Sequence, residues 1–270
     1  TTGPCQYQRN LCHAHRSVFC RPHSSKPGMT MELIIVVTTF GAALIQGVTG
    51  FGFALVAMPI LSGLTSIQAA APLVALTTLT NNLILCIYYR QSFDRQVVTS
   101  LLSGSVIGIP IGFLALGYIP TALMLVVLGT IIVTYSLYSL VSPTVPVLKS
   151  NLWAYGAGFV SGILLGSFNL PGPPIILYGS SQRWSPVRFK GNLTSFFWVS
   201  VAIVVLGHGF QNRISADIMR QFLIAVPSLM LGLFSGVFLA KKFDPSFFRK
   251  TITILLTIIG IRLIISGINS

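Results

Sequence analysis

Long apolar stretches, separated by short polar or charged loops, follow one another from residue 33 to the end of the chain. A helix needs about 20 consecutive apolar residues to cross a membrane. The stretches 33–89 and 96–148 carry no charged residue and are each long enough for two crossings. Four more crossings are predicted from the shorter apolar stretches at 150–182, 191–212, 221–240 and 251–261. The pattern therefore predicts an all-α polytopic membrane protein with about eight hydrophobic segments.

Glycine and proline interrupt two of these segments. The stretch 43–64 reads ALIQGVTGFGFALVAMPILSGL, and the stretch 155–194 contains GSFNLPGPPIIL. Proline lacks an N–H and clashes with the preceding turn, so no continuous helix passes through the second motif. Broken backbone inside a bilayer is tolerated only where it is buried in protein or lines a water-filled cavity. We predict that both breaks line a substrate site; in the alternative interpretation the glycines pack helices and the prolines form a surface turn.

The interruption recurs at a fixed separation. Gly47 and Gly162 are 115 positions apart, and so are Pro59 and Pro174. Paired interrupted segments in corresponding halves of a chain indicate the binding site of a transporter. We predict two four-segment repeats, each opening with a segment broken by Gly and Pro. The first transmembrane repeat is predicted at 31–148 and the second at 149–270.

The loop charges favour opposite orientations for the two repeats. Arg90 and Arg95 follow the second segment of the first half, whereas the basic residues of 183–190 follow the first segment of the second half. Because basic loops stay on the cytoplasmic side, this difference favours halves that are inserted in opposite senses. Arg213 and Arg220 follow the second segment of the second half and argue against it.

Composition excludes several classes of protein. The chain is 53% hydrophobic and only 8% charged, with a formal net charge of +13. Its basic residues lie in short loops between apolar stretches rather than in one patch, which predicts the lipid bilayer as partner and excludes nucleic acid. The acidic residues Glu32, Asp94, Asp217 and Asp244 all lie outside the deep parts of the apolar stretches. A carboxylate proton relay is therefore not expected. The oligomeric state stays open, a homodimer included.

Residues 1–30 differ from the rest of the chain. They hold three of the four cysteines and three of the four histidines, but the spacing fits no standard zinc finger. We predict a disordered or upstream extension without a metal site. Beyond residue 30, His208 and Cys86 are the only histidine and the only cysteine. Since an intramembrane enzyme needs a nucleophile and a base, or metal ligands, around one cavity, we expect no enzyme and no cofactor.

Several motifs together resemble the TauE/SafE sulfite exporter family. They are the paired blocks GVTGFGFALVAMPIL and GFVSGILLGSFNLPGPPII, the run KGNLTSFF and the spans GIPIGFLAL and GLFSGVFLA. The resemblance implies a bacterial inner-membrane transporter of small sulfur-containing anions, namely sulfite or organosulfonates. The block SFNLPGPP departs from the run of glycines that many members carry, which leaves the substrate open.

The predicted site uses neutral groups to bind an anion. Half-helices that meet at a break direct their N-terminal amides and positive dipole ends at the gap. The polar run 77–82 must face protein or water, so its side chains either bind substrate or join helices. The predicted substrate-binding residues are Gln46, Gly50, Gly52, Thr80, Asn81, Gly166, Asn169, Pro171, Gly172, Lys190 and Thr194. We predict export of a small sulfur-containing anion; the alternatives are an anion channel and an uptake carrier for another small organic anion.

Overall fold

The computed structural model describes residues 29–141, 148, 150–240, 242 and 245–269, and their regular secondary structure is entirely α-helical. The predicted all-α fold class is therefore confirmed, whereas nearly all of the predicted extension at 1–30 lies outside the described residues. The helices are α1 (Met29–Thr49), α2 (Phe53–Ser62), α3 (Ile67–Tyr88), α4 (Arg95–Tyr118), α5 (Thr121–Val141), α6 (Leu152–Phe168), α7 (Gly172–Ser181), α8 (Pro186–Phe210), α9 (Ala216–Leu239) and α10 (Pro245–Ile268).

Six of the described helices are long and apolar enough to cross a membrane: α1, α3, α4, α5, α8 and α9. The predicted count of eight segments is not confirmed, because the described chain forms ten helices. The difference arises at the two breaks, where each interrupted stretch becomes a longer helix followed by a short one. The short helices α2 and α7 have 10 residues each. At 1.5 Å per residue they extend about 15 Å, half the thickness of a bilayer core.

Two pairs of helices begin at a separation that differs from the predicted 115 positions. α2 begins at Phe53 and α7 at Gly172, which lie 119 positions apart, and α3 and α8 begin with the same separation. With this separation Gly47 would correspond to Gly166 rather than to Gly162, and the repeat itself stays a prediction. The two separations differ by four residues, about one helical turn, and residues one turn apart share a face of the helix. Because Gly158, Gly162 and Gly166 recur every four residues in α6, the glycine pattern of the sequence fits a separation of 115 as well as one of 119.

Glycines let α4 and α6 pack in direct backbone contact. A Cβ at Gly104 would overlap the Tyr155 carbonyl, and one at Gly108 would overlap the Phe159 carbonyl. From the other side, a Cβ at Gly158 would overlap the Leu101 carbonyl. Small residues at four-residue spacing allow helices to approach this closely in membranes, where packing replaces the hydrophobic effect. Because the positions advance together along both helices, α4 and α6 run parallel.

α1 and α9 form the corresponding parallel pair. Glu32 and Arg220 form an ion pair of 2.9 Å near the start of both helices. Further along, the hydroxyls of Thr39 and Ser228 lie 2.8 Å apart. A Cβ at Gly47 would lie 2.6 Å from the Leu233 carbonyl oxygen. Each half therefore contributes one helix to each parallel pair, so the halves interlock.

The remaining large contacts join helices that run in opposite directions. Near the end of α3, the Cys86 sulfur lies 3.6 Å from the Ser195 hydroxyl, close to the start of α8. α5 and α10 likewise cross with opposite polarity, because the start of α5 meets the end of α10: a Cβ at Gly267 would lie 2.6 Å from the Ala122 carbonyl oxygen. The predicted boundary between repeats falls between α5 and α6, and the division itself stays a prediction.

Asp94 fixes the start of α4 and ties it to α8. Its carboxylate accepts hydrogen bonds from the N–H groups of Gln96 (3.0 Å) and Val97 (3.3 Å), and it also pairs with the Arg188 guanidinium. Partial burial raises the pKa of this carboxyl, but the bonds from Val97, Arg188 and Gln96 outweigh that effect. The pKa of Asp94 therefore lies below its usual value.

This cap predicts a loss of stability in acid. A carboxyl whose pKa is lowered by folding stabilises the protein above its unfolded pKa of about 3.9, and that stability is lost as the pH falls through the folded pKa. The pair with Arg188 is largely exposed, so we expect an effect of less than about 1 kcal/mol. Thermal unfolding in detergent at pH 7, 4 and 2 measures it. Asp94→Asn should unfold earlier than the native chain at pH 7 and equally at pH 2; an unchanged difference at both pH values would contradict the assignment.

Candidate functional site

Both helix breaks meet at one cavity, which we call the central cavity. The cavity volume is about 20 Å³, enough for one or two waters. The first break contributes the start of α2, the second contributes the start of α7, and α3 and α8 close the sides. The lining residues are Gln46, Gly52, Phe53, Ala54, Leu55, Thr78, Asn82, Leu170, Pro171, Gly172 and Phe197.

The sequence dictates where each break falls. Gly50 and Gly52 have φ values of 87° and 104°, a left-handed conformation that glycine adopts without strain. In the second break Asn169 has a φ of 55°, and asparagine tolerates this region better than most residues. Pro173 and Pro174 follow within the first turn of α7, where a missing N–H costs little. Each long helix is thus followed directly by a left-handed residue, Gly50 or Asn169, and a new helix starts three residues later.

The starts of α2 and α7 give the central cavity a positive electrostatic potential. The first N–H groups of a helix have no intrahelical acceptor, and its N-terminus carries about half a positive charge. Gly52 and Pro171 are the N-cap residues of the two helices, and within the described part of the chain neither makes a side-chain cap hydrogen bond. Because Pro173 and Pro174 lack N–H groups, α2 supplies most of the backbone donors while α7 adds the Gly172 N–H and its dipole. Two such helix starts facing one cavity are suited to an anion.

A short polar wall faces these helix starts. Gln46 Nε2 donates a hydrogen bond of 2.7 Å to Asn82 Oδ1. Asn82 Nδ2 in turn donates to the Thr78 carbonyl at 2.9 Å. The Thr78 hydroxyl is buried and has no hydrogen-bond partner among the described residues. A buried hydroxyl without a partner costs free energy, and among the residues that line the cavity Thr78 is the one with such a group, so it is a candidate donor to a ligand.

Four of the predicted site residues line the central cavity: Gln46, Gly52, Pro171 and Gly172. On α3, the structure places the predicted residues Thr80 and Asn81 outside the lining of this cavity, and their part in binding stays a prediction. The Thr80 hydroxyl bonds to the Leu76 carbonyl of its own helix at 3.0 Å, and Asn81 is fully buried away from the cavity. Instead, Thr78 and Asn82 face the cavity. They are four residues apart, and that spacing places them on one face of the helix.

The other predicted residues surround the site without lining it. Thr194 bonds to the Lys190 carbonyl of its own helix at 2.8 Å. Gly166 lies against α4, where a Cβ would come 3.0 Å from the Gly112 Cα. Asn169 donates from Nδ2 to the Ala71 carbonyl at 2.7 Å, which anchors the second break to α3.

Lys190 holds the first break in place. Its Nζ donates a 2.8 Å hydrogen bond to the carbonyl of Val48, one of the last residues of α1. Its stem packs on Gly50, where a Cβ would lie 2.6 Å from the Lys190 Cγ. A cation at a helix C-terminus is electrostatically favourable. Lys190 thus caps α1 and places positive charge beside, rather than inside, the central cavity.

A set of apolar helices in which two broken helices meet at one buried cavity has the architecture of a membrane transporter. The chain belongs to the sulfite exporter TauE/SafE family, whose family model matches residues 35–263. Members of this family are membrane transporters rather than enzymes. A protein from Cupriavidus necator, described as a probable sulfite/organosulfonate exporter TauE, is 27% identical over 231 residues, covering 83% of this chain and 90% of the relative. No solved structure matches the chain.

Proposed function

We propose that the protein exports a small sulfur-containing anion, sulfite or an organosulfonate, across the bacterial inner membrane and binds it in the central cavity. The observation that carries the proposal is the meeting of two helix N-termini at the unpaired Thr78 hydroxyl. None of the residues lining the central cavity is acidic, so an anion would meet no like charge there. The family and the relative from Cupriavidus necator support this class of substrate.

The donors around the central cavity fit an oxyanion. Sulfite and sulfonate groups each present three oxygens, and each oxygen accepts hydrogen bonds. The first N–H groups of α2, the Gly172 N–H and the Thr78 hydroxyl could replace the water that such an anion loses. Apart from Gln46 and Asn82, the rest of the wall is apolar, with Phe53, Leu170 and Phe197 among the lining residues. Low polarity strengthens each of these hydrogen bonds.

Inverted repeats would give this site access to both sides of the membrane. In our proposal α1–α5 and α6–α10 are the two repeats. Each helix that packs against its own counterpart, α3 on α8 and α5 on α10, does so antiparallel. Helices related by an axis in the membrane plane must pack in this way. The parallel pairs α1 with α9 and α4 with α6 correspond under the same relation.

The basic loops support one orientation in the membrane. The α3–α4 loop contacts the start of α8, since the Asp94 N–H donates to Asn192 Oδ1 at 2.6 Å. The end of α9 reaches the same face, because a Cβ at Gly47 would lie 2.9 Å from the Val237 nitrogen. We call this the basic face; its loops and the first turns of its helices carry Arg90, Arg95, Arg183, Arg188 and Lys242. Under the positive-inside rule it is cytoplasmic.

The size of the central cavity favours a carrier over the channel alternative. A space for one or two waters cannot hold a sulfite ion until the surrounding helices move apart. An open channel would need no such movement. Membrane potential could drive the export: at about 100 mV, negative inside, each exported negative charge gains about 2.3 kcal/mol, or about 4.6 kcal/mol for a dianion.

Flux into proteoliposomes tests the proposal. We expect purified protein to move sulfite or a short organosulfonate saturably, and the flux to change when an imposed potential is collapsed. Acetate serves as the control anion without sulfur, and protein-free liposomes measure leakage of sulfur dioxide. Saturable flux of acetate alone would point to the uptake carrier for another anion. If no anion moves, the proposed function is wrong.

A further inference from the structure

The two ends of the molecule differ at positions that correspond between the halves. A second cavity of about 170 Å³ lies at the end where α1 and α9 begin, opposite the basic face. We call it the peripheral cavity. Its wall includes Thr65, Ala69 and Ala70, at the start of α3 and just before it. All three side chains are small, and the space they leave is several times that of the central cavity.

At the basic face the equivalent positions carry large side chains. With the separation of 119, Thr65 corresponds to Trp184, Ala69 to Arg188 and Ala70 to Phe189. The rings of Trp184 and Phe189 lie 6.4 Å apart, centre to centre. Both press on α7, where a Cβ at Gly179 would come 2.9 Å from each ring. The volume that is empty at one end is therefore filled by aromatic rings at the other.

These rings extend towards the central cavity. Phe51 lies in the first break, next to Gly52, which lines that cavity. Its ring meets the Phe189 ring edge-on at a centroid distance of 6.3 Å. Phe51, Phe189 and Trp184 thus form a continuous row from the central cavity to the α7–α8 loop. Beyond the row, an open polar hollow is lined by residues that include Ser92, Arg95, Ser185 and Arg188.

Polar contacts hold the α3–α4 loop over this end. The guanidinium of Arg188, in the first turn of α8, pairs with the carboxylate of Asp94 in the α3–α4 loop, 94 positions away in sequence. The Asn192 Oδ1 on α8 accepts a hydrogen bond of 2.6 Å from the Asp94 N–H. The fit is tight, because a Cβ at Gly191 would lie 2.7 Å from the Ser92 carbonyl oxygen. Separating α8 from the α3–α4 loop would require breaking the ion pair.

We propose that Phe51, Trp184 and Phe189 form a closed gate on the cytoplasmic side of the translocation path. Asp94 and Arg188 latch this aromatic gate, and the peripheral cavity is the open half of the same path. The proposal rests on the proposed function, since a gate requires a transported solute. It adds the direction in which the described conformation faces and the residues that separate the substrate site from the cytoplasm.

Cysteine accessibility tests the gate independently of transport. In a chain whose native cysteines are replaced by serine, Ile35→Cys reports on the wall of the peripheral cavity, and Ala154→Cys reports on the equivalent position, 119 residues on, at the gated end. Both native side chains are 2% exposed. We expect a small membrane-impermeant thiol reagent to label Ile35→Cys from the outside at least tenfold faster than it labels Ala154→Cys from the cytoplasmic side.

Opening the gate should remove this difference. Trp184→Ala should raise labelling of Ala154→Cys from the cytoplasmic side at least tenfold, and Arg188→Gln, which removes a weaker contact, about threefold; both should leave Ile35→Cys unchanged. Arg188→Gln changes a half-exposed side chain and guards against misfolding of the tryptophan variant. Trp198→Ala, which removes a ring that is 37% exposed on α8, is the matched control and should change neither rate.

The outcomes separate the two proposals. Equal labelling of both reporters in the otherwise native chain, or continued protection of Ala154→Cys in both gate variants, overturns the gate even where the protein transports sulfite. Absence of any anion flux overturns the proposed function while the labelling contrast is still measured. Where both proposals hold, Trp184→Ala combined with Phe189→Ala should give a faster flux that no longer saturates with sulfite.

Discussion

Gly158→Ala should destabilise the protein by about 3 kcal/mol, whereas Gly156→Ala, two residues earlier on α6, should be neutral or slightly stabilising. A Cβ at Gly158 would overlap the Leu101 carbonyl and come within 3.0 Å of the Leu101 Cα. Backbone cannot move aside as a flexible side chain does, so the cost lies at the upper end of the roughly 1–3 kcal/mol typical of overpacking. Thermal unfolding of the detergent-solubilised protein measures it.

Gly156→Ala is the matched control, because it makes the same substitution on the same helix in different surroundings. A Cβ at Gly156 would have no atom within 4 Å. Alanine there gains up to about 1 kcal/mol of helix propensity, which both variants share. Similar stability of the two variants would show that α4 and α6 do not pack through backbone contact. Because α4 and α6 belong to different halves, that result would also remove the main evidence that the halves interlock.

Thr78→Val should lower transport of the sulfur anion by about 10- to 100-fold without lowering stability. Valine keeps the shape of threonine and removes the hydroxyl, and a hydrogen bond to a charged group contributes about 1.5–3 kcal/mol. In the ligand-free protein this hydroxyl is buried without a partner among the described residues. Its removal therefore relieves an unpaired polar group, and the unfolding temperature should stay equal or rise. Initial rates in proteoliposomes and thermal unfolding give the two readouts.

Thr80→Val is the matched control. The Thr80 hydroxyl already bonds to the Leu76 carbonyl and lies outside the central cavity. We expect native transport from this variant. A second variant, Asn82→Leu, should also lose transport, because it releases the Gln46 amide that Asn82 holds. Loss of transport in Thr80→Val with native rates in Thr78→Val would place the substrate on the opposite face of α3.

The helix breaks were accessible to prediction because their causes are local. Gly50 and Gly52 adopt backbone angles that few other residues reach, and prolines at 171, 173 and 174 end any helix that precedes them. A reader of the sequence can therefore place both breaks within a few residues. Apolar length likewise predicts membrane helices, since every backbone polar group in lipid must bond within its own segment.

The sequence does not show which face of α3 lines the central cavity. The run 77–82 contains polar residues on all sides of one turn and a half of helix. Which of them meet the breaks depends on the packing of α3 against α2 and α8, and that packing is tertiary. One signal did exist in the sequence: Thr78 and Asn82 are four residues apart and therefore lie on one face of a helix. In the structure Asn82 bonds to the Gln46 amide and to the Thr78 carbonyl. The role of Lys190 was similarly hidden, because a lysine at a helix start serves equally well as a membrane anchor and as a cap.

An anomalous diffraction map of crystals soaked in selenite tests the central claim most directly. Selenite is the heavier, pyramidal homologue of sulfite, and selenium marks its own position. We predict one strong peak in the central cavity, within hydrogen-bond distance of the first amides of α2, the Gly172 N–H and the Thr78 hydroxyl, and its absence in Thr78→Val. A peak confined to the arginines of the basic face, with none between the two helix breaks, would contradict the proposed site.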